Sequence, residues 1–133
     1  MFIEHVAFAV NDPEAAASWY CRHFGMRFLD HGGGGDVFVA DDRGHVMLQF
    51  EDARRVEAIS GEEFLENRRR DMRLLHLAFW ADDVESERTR LLAAGATADG
   101  EVITTPAGDV MATIRDPWDL PIQILRRKVK YLE

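Results

Sequence analysis

Four side chains in this sequence have the types and the spacing to act together: His5, Gln49, His76 and Gln123. They arise as two pairs. His5-Val6-Ala7-Phe8 returns as His76-Leu77-Ala78-Phe79, and Leu48-Gln49-Phe50 returns as Ile122-Gln123-Ile124. An imidazole can hold a metal or exchange a proton near neutral pH. A carboxamide can donate and accept hydrogen bonds, but it does not take up a proton in that range. A duplicated unit with a His on its first strand and a Gln on its last implies two like half-sites. Folded about a pseudo-twofold axis, the two halves would share one cleft.

The duplication extends beyond these pairs. At an offset of 71, His5, Ala7, Phe8, Asp12 and Glu14 match His76, Ala78, Phe79, Asp83 and Glu85. Further on, Gly35-Asp36-Val37 matches Gly108-Asp109-Val110, and the offset drifts to 73 and then 74, as small loop insertions would cause.

The elements that must position these groups follow from periodicity. Residues 2–10 are β-branched and aromatic and read as a buried strand. Asp12 caps a helix with Pro13 in its first turn, and Ala16, Trp19, Tyr20 and Phe24 form its apolar face. Gly25 stops it. Strands are expected over 26–30, 37–40 and 45–50, with a turn at 41–44. Residues 51–71 are charged, and Ser60-Gly61-Glu62-Glu63 fits a capping box opening a linker helix. The order then restarts: a strand over 74–81, a helix opened by Asp82 with Glu85 and ended by Gly95, and strands over 101–105, 110–114 and 120–125. The result is βαβββ, linker, βαβββ. Alternation puts His5, Ala7 and Ala9 on one face of the first strand, with Val6, Phe8 and Val10 under the helix. His76, Ala78 and Trp80 repeat that arrangement, and His45, Met47, Gln49 and Glu51 share one face of the fourth strand.

A chain of 133 residues is about one domain. The net charge of -8 disfavours a nucleic-acid partner, which needs a basic footprint. Two basic clusters, Arg68-Arg69-Arg70 and Arg126-Arg127-Lys128, read as solvated surface. The single cysteine, Cys21, can form no internal disulfide; it reads as a packed thiol and fits a cytoplasmic location. No apolar run approaches the ~20 residues of a membrane span, and no leader pattern opens the chain.

This pattern resembles the vicinal oxygen chelate superfamily, which includes glyoxalase I, methylmalonyl-CoA epimerase, extradiol dioxygenases, fosfomycin-resistance enzymes and bleomycin-resistance proteins. The resemblance covers about residues 3–126. It is carried by the two His-x-Ala-Phe openings and by Arg115-Asp116-Pro117-Trp118-Asp119-Leu120-Pro121-Ile122-Gln123. Relatives usually have Asp-Pro-x-Gly there; Asp119 stands where the Gly would be, and Asp tolerates the left-handed turn. The resemblance implies an α+β fold of tandem βαβββ modules forming a curved mixed sheet around a cleft. Module 1 would span about 1–51, the linker 52–72 and module 2 about 73–127. It also implies a homodimer.

By position, the superfamily's metal slots fall on His5, Gln49, His76 and Gln123, for a divalent Zn, Ni, Co, Mn or Fe. Gln123 is the departure, because that slot holds Glu in the enzymes of the superfamily. Two imidazoles and two amides bring no negative charge. A unit charge pair at ~4 Å and an effective dielectric near 20 is worth about 4 kcal/mol. Losing the carboxylate therefore weakens a metal by decades and makes ordinary glyoxalase I chemistry doubtful. Glu51, one strand repeat beyond Gln49, is the candidate base; a solvated strand-end Glu is the plainer reading. Trp80, Trp118 and His45 are candidate substrate contacts, since an aromatic wall suits a flat or apolar small molecule. Gly32 to Gly35 form no phosphate loop and read as a mobile hairpin connection, or a lid. Two functions stay open, with the enzyme ahead of the binder. One is a metal-assisted lyase, isomerase or dioxygenase acting on a small oxygenated molecule. The other is a metal-free binding protein that sequesters an antibiotic-type compound.

Overall fold

The computed structural model describes residues 1, 3–55 and 75–131, and the chain divides into two compact units, Met1–Asn67 and Arg68–Glu133. The proposed linker helix at Ser60 and the Arg68-Arg69-Arg70 cluster lie outside the described residues. Among the described residues no helix is long and apolar enough to cross a membrane.

The first unit runs β1 (His5–Val10), α1 (Pro13–Phe24), β2 (Arg27–His31), β3 (Val37–Ala40) and β4 (Met47–Asp52). Its sheet has the order β1-β4-β3-β2. β1 and β4 pair in parallel, and the other neighbours are antiparallel. A parallel pair cannot be closed by a tight turn, so α1 and the β2–β3 hairpin make the crossover. α1 starts where Asp12, in extended conformation, accepts the Ala15 N–H at 3.0 Å, and it ends at Gly25 with φ of 64°. Its buried Trp19 and Tyr20 face the sheet, and the Tyr20 ring lies 5.1 Å from that of Phe50. Phe8, Val10, Val37, Val39, Leu48 and Phe50 complete this core. Removing Phe50 would cost roughly 3–5 kcal/mol. The opposite face stays open: His5 and Ala7 are exposed, and Phe38 and Gln49 are half-buried.

The second unit runs β5 (Leu77–Trp80), α2 (Val84–Ala93), β6 (Thr97–Ala98), β7 (Ile103–Thr104), β8 (Val110–Arg115) and β9 (Pro121–Arg126). The order is β5-β9-β8-β6, with β7 also pairing β8 and β5 parallel to β9. The strand expected at 101–105 is shortened to β7, and β6, which was not expected, precedes it at the edge of β8, with Gly100 between them at φ of 85°. Two residues are too few to show alternation, which is why β6 escaped the sequence pattern. The cap of α2 is Asp83 and not Asp82: Asp83 accepts the Ser86 N–H at 3.0 Å, while Asp82 takes the Trp80 indole N–H at 3.2 Å. Val84 and Leu91 of α2 are buried, as are Ile114, Leu120, Ile122 and Ile124 of the sheet side.

The turn between β8 and β9 is built on a buried carboxylate. Asp116 accepts from the backbone N–H of Trp118 at 2.9 Å and of Leu120 at 2.8 Å. Asp119 takes φ of 69°, the one described non-glycine residue in the left-handed region, as its place in the motif required.

Candidate functional site

In the first unit, His5 and Gln49 do share the open face. Ala7 pairs with Gln49 across the β1–β4 ladder, so His5 sits one strand over and one strand repeat along. The His5 imidazole Nδ1 is engaged by the neighbouring Glu4 carboxylate, and the ring meets the edge of Phe38 at 5.9 Å between centroids. A partner on Nδ1 fixes the ring and leaves Nε2 for another group.

Gln49 is held by a residue that sequence reasoning did not single out. Its Nε2 donates to Asp36 Oδ2 at 2.6 Å, and the Gly34 N–H donates to Asp36 Oδ1 at 3.0 Å. Asp36 is only 8% exposed. The Gln49 amide, then the Gly34 N–H, hold its carboxyl below the usual carboxylate range. An ionised carboxylate can only accept, so it dictates which end of the Gln49 amide faces it. The NH2 end goes to Asp36. The carbonyl Oε1 has no protein partner among the described residues and is not sealed from solvent.

The glycine run turns around this carboxylate. Gly32 N–H donates to the Asp36 carbonyl at 2.9 Å. A Cβ on Gly32 would stand 2.0 Å from Asp36 Oδ2, and one on Gly34 would stand 1.6 Å from Arg55 Nη1. Gly32 is required where it stands, because a side chain there would press on a carboxylate already held by Gln49 and Gly34, whereas the Arg55 guanidinium facing Gly34 is the far end of a long side chain.

The second unit keeps the pair but wires it differently. Gln123 pairs with Ala78 on β5 and Thr113 on β8, and its Nε2 reaches only the Met111 thioether, at 3.5 Å. Its Oε1, too, lacks a partner among the described residues and is not sealed from solvent. His76 is exposed, one residue before β5. Asp109, the repeat mate of Asp36, does not reach Gln123. It binds Arg127 Nη1 at 3.0 Å and the Lys128 N–H at 2.9 Å.

Register explains the change. Gln49 stands opposite Phe38, two residues past Asp36; Gln123 stands opposite Thr113, four residues past Asp109. A slip of two residues keeps every side chain on its face but moves the Asp about 7 Å along the strand. The sequence signal for both aspartates was the repeated Gly-Asp-Val itself. The basic cluster Arg126-Arg127-Lys128, expected to be solvated, is in part tied down by this contact.

The remaining candidates sit as follows. Glu51 is half-buried on the Gln49 face of β4, opposite Ala9. His45 is exposed in the bend before β4. Trp118 is half-buried in the Asp116 turn. Trp80 is 42% exposed on β5, and Lys130 Nζ lies 4.4 Å from its ring centroid. Cys21 is half-buried and burial pushes its thiol up, which fits packing and not nucleophilic work. Among the described residues no three His, Cys, Asp or Glu side chains converge to hold a metal.

The family model of the Glyoxalase/Bleomycin resistance protein/Dioxygenase superfamily matches residues 2–124. The chain belongs to this superfamily. Solved structures agree on the fold. A glyoxalase/bleomycin resistance protein/dioxygenase family enzyme from Burkholderia phytofirmans PsJN superposes with a TM-score of 0.76 at 19% identity, covering 94% of this chain and 98% of the other. Lactoylglutathione lyase from Agrobacterium tumefaciens gives 0.65 at 23% identity, covering 98% and 97%. The antibiotic binding protein TnmS3 from Streptomyces sp. CB03234 gives 0.66 at 22% identity, covering 96% and 97%. No curated protein matches the chain. Superfamily members often hold a divalent metal, and the sequence resemblance assigns its slots to His5, Gln49, His76 and Gln123. This donor set does not fit a tightly held dication: none of the four side chains can bring a negative charge, and the buried carboxylate beside Gln49, Asp36, is already committed to Gln49 and Gly34.

Proposed function

We propose that this chain binds a small molecule on the open faces of its sheets without a metal, as an antibiotic-type binding protein would. The observation that carries the reading is the neutral wiring of the slots. Both glutamines give their N–H2 to a protein acceptor and keep a carbonyl oxygen for the ligand. Such oxygens, with the imidazoles of His5 and His76, suit a ligand rich in hydrogen-bond donors. Trp80, Trp118 and His45 would supply flat contacts. The relatives of similar fold include both an antibiotic binding protein and a lyase, so fold alone does not choose.

One observation favours the second reading, a metal-assisted lyase, isomerase or dioxygenase. The carboxylate of Glu4 on His5 Nδ1 is the arrangement that orients metal-bound imidazoles. In that case His5, His76 and the two glutamine oxygens would hold the ion and Glu51 would be the proton carrier.

Metal analysis of freshly purified protein separates the two. The binding reading expects far less than one metal per chain, and expects Gln123→Glu to raise Co(II) affinity at least about tenfold. Near-stoichiometric metal that disappears in the His5→Ala/His76→Ala double variant would overturn it in favour of the enzyme. A homodimer and a cytoplasmic location belong to the same proposal; sedimentation checks the first.

A further inference from the structure

We propose that the Trp80 ring is a receptor for an ammonium or guanidinium group of the ligand, and that Lys130 occupies it until the ligand arrives. The inference rests on the reading of Trp80 as a ligand contact and adds the ligand's charge to it. Trp80 is a large aromatic left 42% exposed on the open side of β5. Its indole N–H donates to the Asp82 carboxylate at 3.2 Å, which makes the ring more electron-rich and its face more attractive to a cation. The chain's own ammonium already lies there, with Lys130 Nζ 4.4 Å from the centroid.

The segment that delivers Lys130 follows a defined path. Asp109 binds Arg127 through its side chain and Lys128 through its backbone. The Lys128 side chain then crosses Gly108 so closely that a Cβ there would stand 3.0 Å from Lys128 Cδ. The Arg127 guanidinium lies 4.4 Å from the ring centroid of Tyr131, which holds the chain on the far side of Lys130. Among the described residues Lys130 makes no salt bridge, and its ammonium rests on the Trp80 face. An exposed cation–π contact is weak enough for an incoming cation to displace.

The test uses the three indole N–H resonances of the 15N-labelled chain, with that of Trp80 assigned by its loss in Trp80→Phe. Tetramethylammonium chloride should move the Trp80 resonance, and sodium chloride at equal ionic strength should not. In Lys130→Gln the same shift should appear at about three- to fivefold lower concentration, since a competitor of ordinary cation–π strength has been removed. Asp109→Ala should lower the midpoint less. A Trp80 resonance that stays still until the other two indoles move overturns the receptor. An unchanged midpoint in Lys130→Gln overturns the competition. The outcome is separable from the metal question. A responsive Trp80 in a stoichiometric metalloprotein keeps this inference and sinks the metal-free reading; a silent Trp80 in a metal-free protein does the reverse.

Discussion

Asp36 and Asp109 hold the same place in the two repeats and do opposite work. Asp36 turns inward, buried at 8% exposure, and dictates the orientation of Gln49. Asp109 lies two residues further from its glutamine in the ladder and spends its carboxylate on Arg127 and Lys128. The first unit is therefore braced from within, while the second leaves Gln123 on a weak thioether contact and anchors the segment that covers Trp80. The lesson is that a duplicated motif preserves residue types more readily than it preserves partners. A two-residue slip, invisible in the motif, redistributes the charge.

The largest expected difference between the halves comes from deleting each carboxylate. Asp36→Ala leaves the amide of Gln49 and the Gly34 N–H without their acceptor and should cost about 2–3 kcal/mol in urea unfolding. Asp109→Ala removes half-exposed contacts and should cost about 1 kcal/mol or less. Equal costs would erase the contrast. Next in size are the glycines around Asp36. Gly32→Ala pushes a methyl into the carboxylate and should lose roughly 1–3 kcal/mol. Gly33→Ala meets nothing within 4 Å, so thermal melting should separate it clearly from Gly32→Ala.

Acid should act on the first unit through Asp36. Its folded pKa is lowered, so its contribution to stability is complete above the unfolded carboxylate range, near pH 4, and fades as pH falls through the folded value. Unfolding curves from pH 7 downward should show a loss that is shallower in Asp36→Asn; identical slopes would remove Asp36 from the account. The smallest effect is a gain. Asp119→Gly relieves a left-handed backbone and should add at most about 1 kcal/mol, read as a small rise in Tm.

Much of this was legible in the residues. The duplicated His-x-Ala-Phe runs located β1 and β5, Asp12 and Gly25 marked both ends of α1, and the displaced glycine at Asp119 foretold the left-handed turn. Alternation put His5 and His76 on the faces away from the helices, and the superfamily resemblance joined each to a glutamine; the ladders set Gln49 beside Ala7 and Gln123 beside Ala78. What stayed hidden depends on contacts between strands. Periodicity does not report register, so nothing in the sequence said that Asp36 would reach Gln49 while Asp109 would miss Gln123. The same blindness moved the α2 cap from Asp82 to Asp83: two adjacent aspartates can both cap, and periodicity does not tell that Asp83 takes the Ser86 N–H while Asp82 takes the Trp80 indole. Composition alone did not show that the carboxylate of the adjacent Asp36 folds back over Gly32, because that position is set by Gln49 on another strand.

The slip between the β3–β4 and β8–β9 hairpins has an evolutionary corollary. From aspartate to glutamine the second repeat is one residue longer, yet Gln123 keeps its face. The turn absorbs the odd residue: residues 116–120 join the paired ends of β8 and β9, where residues 41–46 join those of β3 and β4. Parity in the ladder is thus protected by slack in the turn, and drift after duplication can offer the neighbouring acid a new companion without turning the carboxamide over.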